Sequence, residues 1–446
     1  MTVRRFKGGL KLPERKHATV DKPIELAPMP KQAVIPINQH MGAPNKSLVN
    51  VGDTVVRGQK IADGAEPGLM TVPVHASITG KVVKIEARTL SNNSEGLCII
   101  IEGGEPSSQN EEQFYPPIDP YSCSKEEALH RIREAGIVGM GGAGFPSHVK
   151  LSPAPGKTID YIIANGAECE PYLTTDETNM TGKSNLLIKG LGIVMKITGV
   201  KKAIIGIEKN TKNLVPVIER EIRLADLPVE ISIALCATRY PQGGEKMMIT
   251  ALTGRKVPAG GLPMDAGCIV LNASTIIAIA EAFYLGKPLI ERDLTVSGGA
   301  CKTPKNIRAC IGASLADMPV EFMDIDHENL VRILYGGPMM GNALASLDVP
   351  IQKNTSGIIL MTEKETSIFT EGPCIRCARC IRTCACRLSP VIMNKSIEAG
   401  DFDYAVKAGL LDCVECGSCA YICPARIKLV QRFRAGKQVL KLRKQK

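Results

Sequence analysis

The sequence predicts a multidomain α/β protein, and three observations carry that prediction. Residues 33–103 read as short strands separated by glycine turns. Residues from 157 to 285 alternate apolar strands with helices of 3.6-residue spacing, the pattern of a parallel sheet covered by helices. Nine of the sixteen cysteines lie between Cys374 and Cys423, so thiol chemistry organises the C-terminal part. A chain of 446 residues has room for roughly three or four domains with separate cores.

Residues 1–29 read as an N-terminal extension. "MTVRRF" is basic, but no apolar run follows it, so no secretory signal is expected. Residues 30–113 contain "VNVGDTVVRGQKIAD" and "VHASITGKVVKIE", which read as the two halves of a barrel-sandwich hybrid, the architecture of lipoyl and biotinyl carriers. A carrier presents its modified lysine at an exposed hairpin tip. Lys60, Lys81 and Lys84 sit at ordinary strand or turn positions and no Met-Lys-Met is present, so a scaffold role is expected. "FYPPIDPYSC" links this part to an α/β domain over 114–293, where Ser124 and Glu127 form a capping-box pattern. Its strands "TIDYIIAN", "KAIIGIE", "VEISIAL" and "GCIVLN" alternate with the helices "SNLLIKGLGIVMKITG", "KNLVPVIEREIRLAD" and "STIIAIAEAFYLG". Residues 294–365, with "TVSGGA" and "YGGPMMG", read as a small β-rich module. Residues 366–430 belong to the cysteines, and 431–446 read as a basic tail.

The net charge of +10 is concentrated at the C-terminus, because residues 425–446 hold nine basic and no acidic residues. Such a stretch suits acidic lipid headgroups, an acidic partner or a solvated helix. No aromatic-rich basic motif accompanies it, so no nucleic-acid role is expected. The longest apolar stretch, "CIVLNASTIIAIAEAFYLG", contains Asn272, Ser274, Thr275 and Glu281 and is no membrane span. A cytoplasmic chain is therefore expected, bound to a membrane only through partners. In that compartment cysteines serve metals or redox chemistry rather than disulfides. Cys98, Cys236 and Cys268, each in an apolar run, are expected to be small buried hydrophobes.

Cys374, Cys377, Cys380 and Cys384 are spaced CxxCxxCxxxC, and Cys413, Cys416, Cys419 and Cys423 repeat the spacing with Pro424 behind them. Two such runs are the bacterial ferredoxin pattern for two [4Fe–4S] clusters in a ferredoxin-like helical domain. The first three cysteines of a run wrap one cubane, while the fourth ligates the other cluster. Cys374, Cys377, Cys380 and Cys423 are thus expected at one cluster, and Cys413, Cys416, Cys419 and Cys384 at the second. Cys386, two residues past Cys384, is the spare. Zinc is the alternative, but it favours two separated CxxC or Cys/His pairs, and none of the six histidines falls within forty residues of the array. Arg376, Arg379, Arg382 and Arg387 suit an anionic cluster or an acidic redox partner.

"GIVGMGGAGFP", residues 136–146, matches G-x-G-x-x-G at Gly139, Gly141 and Gly144. It follows a helix rather than a strand, so it is not a Rossmann fingerprint, and no Lys-Ser/Thr pair makes it a Walker loop. Its glycines still allow a planar or phosphorylated ligand to approach the backbone. "NGAECEPY" and "RYPQGGEK" each follow a strand, at the carboxyl edge where open α/β sheets bind ligands. "NASTIIAI" opens a helix after a third strand, and its N-terminus suits a phosphate.

Together these motifs resemble, in order and spacing, the flavin- and NADH-binding subunit of respiratory complex I. With "FKGGLKLPERK", "NQHMGAPNKSLVNVGDTVVRGQKI" and the eight-cysteine ferredoxin run, the chain resembles the RnfC family of the Rnf electron transport complexes over nearly its whole length. The resemblance implies a Rossmann-like domain in which Gly139, Gly141, Gly142, Lys150, Asn165, Glu168, Gly244 and the helix start Asn272, Ala273, Ser274 and Thr275 hold FMN. It implies that Phe145, Glu170 and Glu245 receive the nicotinamide nucleotide, with Phe145 stacking on adenine. Ala167 and Gly243 depart from the complex I pattern, which implies weaker FMN binding. The 294–365 module resembles the family's soluble-ligand-binding β-grasp (SLBB) domain, a spacer between flavin and clusters. The implied activity is hydride exchange between NAD(H) and FMN and one-electron transfer through the clusters, within an ion-translocating ferredoxin:NAD⁺ oxidoreductase. Membrane and iron–sulfur subunits of that complex are the implied partners, with electrons passing to or from ferredoxin through them. The implied location is peripheral, on the cytoplasmic face of the cell membrane.

A cobalamin reductase of bacterial microcompartments has the same architecture, and the "FKGGLKLPERK" opening favours the Rnf reading over it. A cluster-bearing conduit without flavin is the non-enzymatic alternative. The ligand assignment makes a direct prediction: Cys384→Ala loses or degrades one cluster by EPR, whereas Cys386→Ala keeps both. The reverse result would transfer the ligand role to Cys386.

Overall fold

Glycine turns and period-two apolar residues fold the N-terminal part into two small facing sheets. The computed structural model describes residues 1–64, 66, 68, 70–104, 109 and 112–444. After β1 (Ile24–Leu26) come β2 (Gln32–Pro36), β3 (Asn45–Ser47), β4 (Thr54–Val55), β5 (Lys60–Gly64), β6 (Val74–His75), β7 (Gly80–Thr89) and β8 (Glu95–Gly103). One sheet runs β2-β8-β7-β4 and the other β3-β5-β6. Ile35, Val55, Ile61, Ile78 and Ile99 are buried in their core. Lys60 pairs with Asp63 and Glu134, and Lys81 and Lys84 lie inside β7. None of the three stands at a hairpin tip, in keeping with a scaffold.

The α/β alternation folds as its periodicity requires. Helix α1 (Lys125–Glu134) opens on a complete capping box, with Glu127 N–H donating to Ser124 Oγ and Ser124 N–H to the Glu127 carboxylate. Then follow α2 (Ser147–Lys150), β9 (Tyr161–Gly166), α3 (Thr175–Gly182), α4 (Ser184–Thr198), β10 (Lys202–Glu208), α5 (Leu214–Ala225), β11 (Glu230–Cys236), α6 (Glu245–Thr253), β12 (Cys268–Asn272) and α7 (Ala273–Tyr284). The four strands pair in parallel in the order β11-β10-β9-β12. From β9 the chain moves outward through β10 and β11, then returns to the other side of β9. That reversal opens a crevice at the carboxyl ends of β9 and β12. Cys98, Cys236 and Cys268 are fully buried, as their apolar surroundings predict.

Next, β13 (Glu291–Ser297), β14 (Lys305–Cys310), β15 (Arg332–Tyr335), β16 (Asn342–Leu344) and β17 (Gly357–Met361) join β1 in a six-stranded sheet, β1-β14-β13-β17-β15-β16. The central pair β13–β17 is parallel and is flanked by antiparallel pairs. The N-terminal extension is therefore not free: β1 pairs in parallel with β14 through Ile24–Asn306 and Leu26–Arg308. A three-residue strand whose partner lies 282 positions away leaves no periodic signal in the sequence.

The cysteine-rich part holds α8 (Arg379–Thr383), α9 (Pro390–Glu398), α10 (Phe402–Lys407), α11 (Ser418–Tyr421) and α12 (Leu429–Lys444). Here the structure corrects the basic tail. The boundary at 431 falls inside α12, which buries Leu429, Val430 and Phe433 against Met393, Ala405 and Leu410. Spacing of one and three residues puts these apolar side chains on one helix face. The cations on its other faces meet acids remote in sequence: Arg432 pairs with Glu371 and Glu398, and Arg434 and Lys437 pair with Glu415. Among the described residues no helix is long and apolar enough to cross a membrane.

The correction is testable by denaturation. Phe433→Ala should cost the cysteine-rich part about 3–5 kcal/mol, the usual penalty for emptying a buried phenylalanine site. A change below about 0.5 kcal/mol, typical of surface substitutions, would restore the solvated tail.

Candidate functional site

The glycine-rich segment doubles back on itself. Gly139 N–H donates to Phe145 O (2.8 Å), Ser147 N–H donates to Ile137 O (3.1 Å), and Gly136 and Gly144 sit at φ +72° and +69°, where other residues are strained. The exposed tip, Gly141 to Ala143, stands against the N-terminus of α7. Met140 N–H donates to Thr275 Oγ1 (3.0 Å), and a Cβ placed on Gly141 would come within 3.0 Å of Asn272. A Cβ on Gly142 would meet nothing within 4 Å, so this stretch of bare backbone faces open space.

Beneath the tip, the crevice is lined by side chains from three elements. Asn165, at the end of β9, donates from Nδ2 to Gly243 O (2.7 Å) and accepts from Ala167 N–H (3.1 Å). Asn272 caps α7 by accepting from Ser274 N–H (2.9 Å), while its Nδ2 donates to Asp176 (2.8 Å). Ser274 Oγ also donates to Asp176 (2.9 Å). Asp176 N–H in turn donates to both Glu168 oxygens at 3.2 Å. Burial, with Asp176 alongside, pushes the Glu168 carboxyl up to about 7. Asn179 is buried against Ser274 with its Oδ1 unpartnered. The first-turn N–H groups of α7 that Asn272 does not cap have no partner within the helix and carry its positive dipole end.

Bare glycine backbone, an open helix N-terminus and amide and carboxyl side chains in one crevice suit a planar, phosphorylated ligand of the FMN type. Gly139, Gly141, Gly142, Asn165, Glu168 and Asn272–Thr275 are thus brought together. Lys150 and Glu245 pair with each other, linking α2 to the start of α6, where Gly244 is the N-cap. Phe145 is half-buried at the foot of the loop. Glu170 is otherwise engaged: it accepts from Met339 N–H (3.0 Å) and from the Tyr240 hydroxyl (3.4 Å), and burial pushes it up to about 7. The departure at Gly243 has a physical cause, since a side chain there would run into the Ala167 carbonyl; nothing in the structure explains the alanine at 167.

Several residues of the site carry no sequence signal. Arg292, buried on β13, reaches Thr355 O (2.8 Å) and Met140 O (3.4 Å). Lys353 is buried and donates to Pro73 O (2.8 Å) and Gly136 O (2.7 Å), with burial lowering its pKa to about 7. Met41 N–H donates to Gly144 O (3.0 Å), and Gln39 Oε1 accepts from Lys353 N–H (2.9 Å). The glycine loop is therefore held from the barrel-sandwich and the six-stranded sheet as well as from its own domain. Lys16 Nζ reaches Glu168 O (2.5 Å) and lines a small pocket with Glu168, Glu170 and Glu208. Glu208 is buried with one oxygen unpartnered, and burial, offset by Lys16, raises it to about 7.

The cysteines fall into two sets in space. Cys374, Cys377, Cys380 and Cys423 line one cavity of about 460 Å³. Cys384, Cys386, Cys413, Cys416 and Cys419 line another. All are free thiols, and among the described residues no three ligating side chains close on a point that would hold a single metal ion. Burial pushes Cys413 up to about 11 and Cys386, with Cys384 beside it, to about 12. Any iron they bind must displace those protons. Thiolates set around a space fit a cubane cluster, whose ligand sulfurs stand farther apart than those of one zinc ion.

Two family profiles match the chain. The Nuo51 FMN-binding domain matches residues 132–281, and the RnfC barrel sandwich hybrid domain matches residues 4–105. The C component of the proton-translocating ferredoxin:NAD(+) oxidoreductase complex of Clostridium ljungdahlii is 42% identical over 400 residues, 88% of this chain and 84% of its own. The C component of the Na(+)-translocating ferredoxin:NAD(+) oxidoreductase complex of Acetobacterium woodii is 38% identical over 437 residues, covering 97% and 96%. A crystal structure of NAD+-reducing [NiFe]-hydrogenase in the H2-reduced state shares the fold at 20% identity, with a TM-score of 0.51 over 74% of this chain and 69% of that one.

Glu208 gives the site a pH signature. Its folded pKa of about 7 exceeds the ordinary 4.5, so the folded state holds a proton that the unfolded chain has released. Stability should fall as pH rises from 4.5 to about 7 and then level off. Glu208→Gln should remove that fall and be more stable than the parent above pH 7 by on the order of 3 kcal/mol. Parallel pH profiles of the two proteins would refute the buried, protonated carboxyl.

Proposed function

The chain belongs to the RnfC family, and from that membership we propose that it binds FMN in the β9–β12 crevice and two [4Fe–4S] clusters at its cysteine sets, joining NAD(H) to the rest of an ion-translocating ferredoxin:NAD⁺ oxidoreductase. Bound there, FMN supplies hydride exchange with NAD(H) and single-electron exchange with the clusters. The observation that carries the flavin reading is the bare tip Gly141–Gly142 over the N-terminus of α7.

The chain's own residues bind and orient. Asn165, Asp176, Asn272 and Ser274 form one hydrogen-bonded wall, which fixes the side-chain directions before a ligand arrives. Glu168, whose carboxyl is pushed up to about 7 by burial, offers a hydrogen-bond donor or acceptor to a flavin. In this reading Lys150 holds FMN and Glu245, its ion-pair partner across α2 and α6, receives the nicotinamide nucleotide, with Phe145 stacking on adenine. For Glu170 to contact a nucleotide it must leave Met339 and Tyr240.

The spatial sorting of the thiols supports crossed ligation: Cys423 lines the cavity of Cys374, Cys377 and Cys380, and Cys384 that of Cys413, Cys416 and Cys419. The order β14-β13-β17-β15-β16, with its parallel centre, supports a β-grasp spacer. Peripheral attachment at the cytoplasmic face of the membrane, through the other subunits, completes the reading.

Anaerobic purification should yield about eight iron atoms and one FMN per chain, with NADH–ferricyanide activity. Gly142→Ala is the sharper test, because its methyl group meets no protein atom. It should leave the flavin-free protein as stable as the parent yet weaken FMN binding about tenfold or more, or roughly 1.4 kcal/mol. Unchanged FMN affinity would remove the ligand from this loop.

A further inference from the structure

The opening "FKGGLKLPERK" lies as a strap along the carboxyl edge of the parallel sheet. Arg4 N–H donates to Leu235 O (2.7 Å), and Ala237 N–H donates to Arg4 O (2.8 Å). Leu10 and Tyr240 exchange both backbone hydrogen bonds at 2.8 Å, and Tyr172 N–H donates to Glu14 O (2.9 Å). Phe6, Leu10 and Lys16 are buried. The opposite side of the strap touches the cysteine-rich domain: Gly9 N–H donates to Thr383 O (2.8 Å).

Both glycines are needed where they stand. Gly8, at φ +97°, would place a Cβ 2.6 Å from the Cys384 carbonyl oxygen, and Gly9, at φ +76°, one 2.5 Å from the Tyr240 carbonyl oxygen. A simple anchor needs burial; it does not need two adjacent left-handed glycines pressed against two domains. Tyr240, pinned by Leu10, sends its hydroxyl to the Cys416 carbonyl (2.6 Å). Cys384 and Cys416 line the same thiol cavity, so the strap holds that set from two sides, next to the sheet whose edge bears Glu168.

We propose that Phe6–Lys16 is a positioning strap that fixes the spacing between the flavin crevice and the Cys384/Cys413/Cys416/Cys419 cluster, making that cluster the one that exchanges electrons directly with the flavin. The inference rests on the functional reading above. In the NADH-driven direction, NADH loses two electrons and becomes NAD⁺ with release of a proton, and the two clusters gain one electron each. The strap alters no bond in this sequence; it sets the distance of the first transfer.

The test uses the full chain, purified anaerobically with its cofactors, in three forms: parent, Gly8→Ala and Gly52→Ala. Gly52 has φ +101° and open space around it, so its alanine variant carries similar backbone strain without the clash. After rapid mixing with NADH, Gly8→Ala should bleach its clusters about tenfold or more slowly, as misplacement of reacting groups does. Its iron, FMN and NADH–ferricyanide activity should stay at parent levels, because ferricyanide takes electrons from the flavin itself. Gly52→Ala should match the parent. Cluster reduction at the parent rate in folded Gly8→Ala overturns the strap, as does equal slowing in Gly52→Ala. If Gly8→Ala does not fold, Tyr240→Phe, which removes the hydroxyl that reaches the Cys416 carbonyl and Glu170, takes its place, with cluster bleaching divided by its own NADH–ferricyanide rate and the same two outcomes. If the parent itself takes no electrons from NADH, the functional reading fails instead. EPR of the dithionite-reduced proteins then decides the strap, which predicts that Gly8→Ala alters one cluster's signal only and is refuted by identical spectra.

Discussion

A parallel sheet in the order β11-β10-β9-β12 must be entered in the middle, wound outward and re-entered on the far side. Where the winding reverses, the carboxyl ends of β9 and β12 lie side by side at the crevice, while the helices that follow them, α4 and α7, pack against each other on one face of the sheet. Asn165 and Asn272 close these two strands opposite each other in register. Every group of the candidate flavin site is placed relative to that pair. The glycine tip rests on Asn272, Asp176 bridges Asn272 to Glu168, and Gly243 leans on Asn165.

The crevice alone does not hold the loop above it. Buried basic side chains from the six-stranded sheet and the segment before β17 do part of that work, Lys353 through Gly136 O and Arg292 through Met140 O. A buried basic group is costly unless it is hydrogen-bonded, and both are satisfied by backbone carbonyls of the glycine loop. The barrel-sandwich adds Met41 N–H on Gly144 O. A fold familiar from swinging cofactor carriers serves here as a fixed buttress. Lys60 is held in ion pairs, Lys81 and Lys84 lie inside a strand, and the turn at residues 39–41 backs the glycine loop.

Much of this was legible in the sequence where the signal is local. Ferredoxin spacing is set by covalent geometry around a cubane, so the expectation of clusters at Cys374–Cys384 and Cys413–Cys423 needs no tertiary information. The alternation of β9 through α7 follows from side-chain periodicity, and the Ser124/Glu127 capping box from helix-end chemistry. The glycine loop, "NGAECEP" and the "NAST" helix start were identifiable by resemblance, and the structure brings them to one crevice. Asp176, by contrast, sits in "TDETNM", a run indistinguishable from any polar first turn of a helix. It enters the site only because α3 crosses the mouth beneath α7.

The sequence by itself determined the alternating strands and helices of the α/β domain and the spacing of the cysteines, because helix periods, caps and ligand spacing act over fewer than about a dozen residues. Tertiary structure alone decided how those elements face one another. It turned a basic tail into α12, an edge of the cysteine-rich domain's core, through Phe433 and acids up to 61 positions away. It turned an N-terminal extension into a strand of one sheet and a strap across another. It also set the second cysteine set, rather than the first, against the strap and Tyr240. The contacts of β1 and of the strap are long-range backbone hydrogen bonds and close approaches at glycine. Neither leaves a periodic trace in the chain, since almost any side chain, or none, can accompany a backbone that pairs far away.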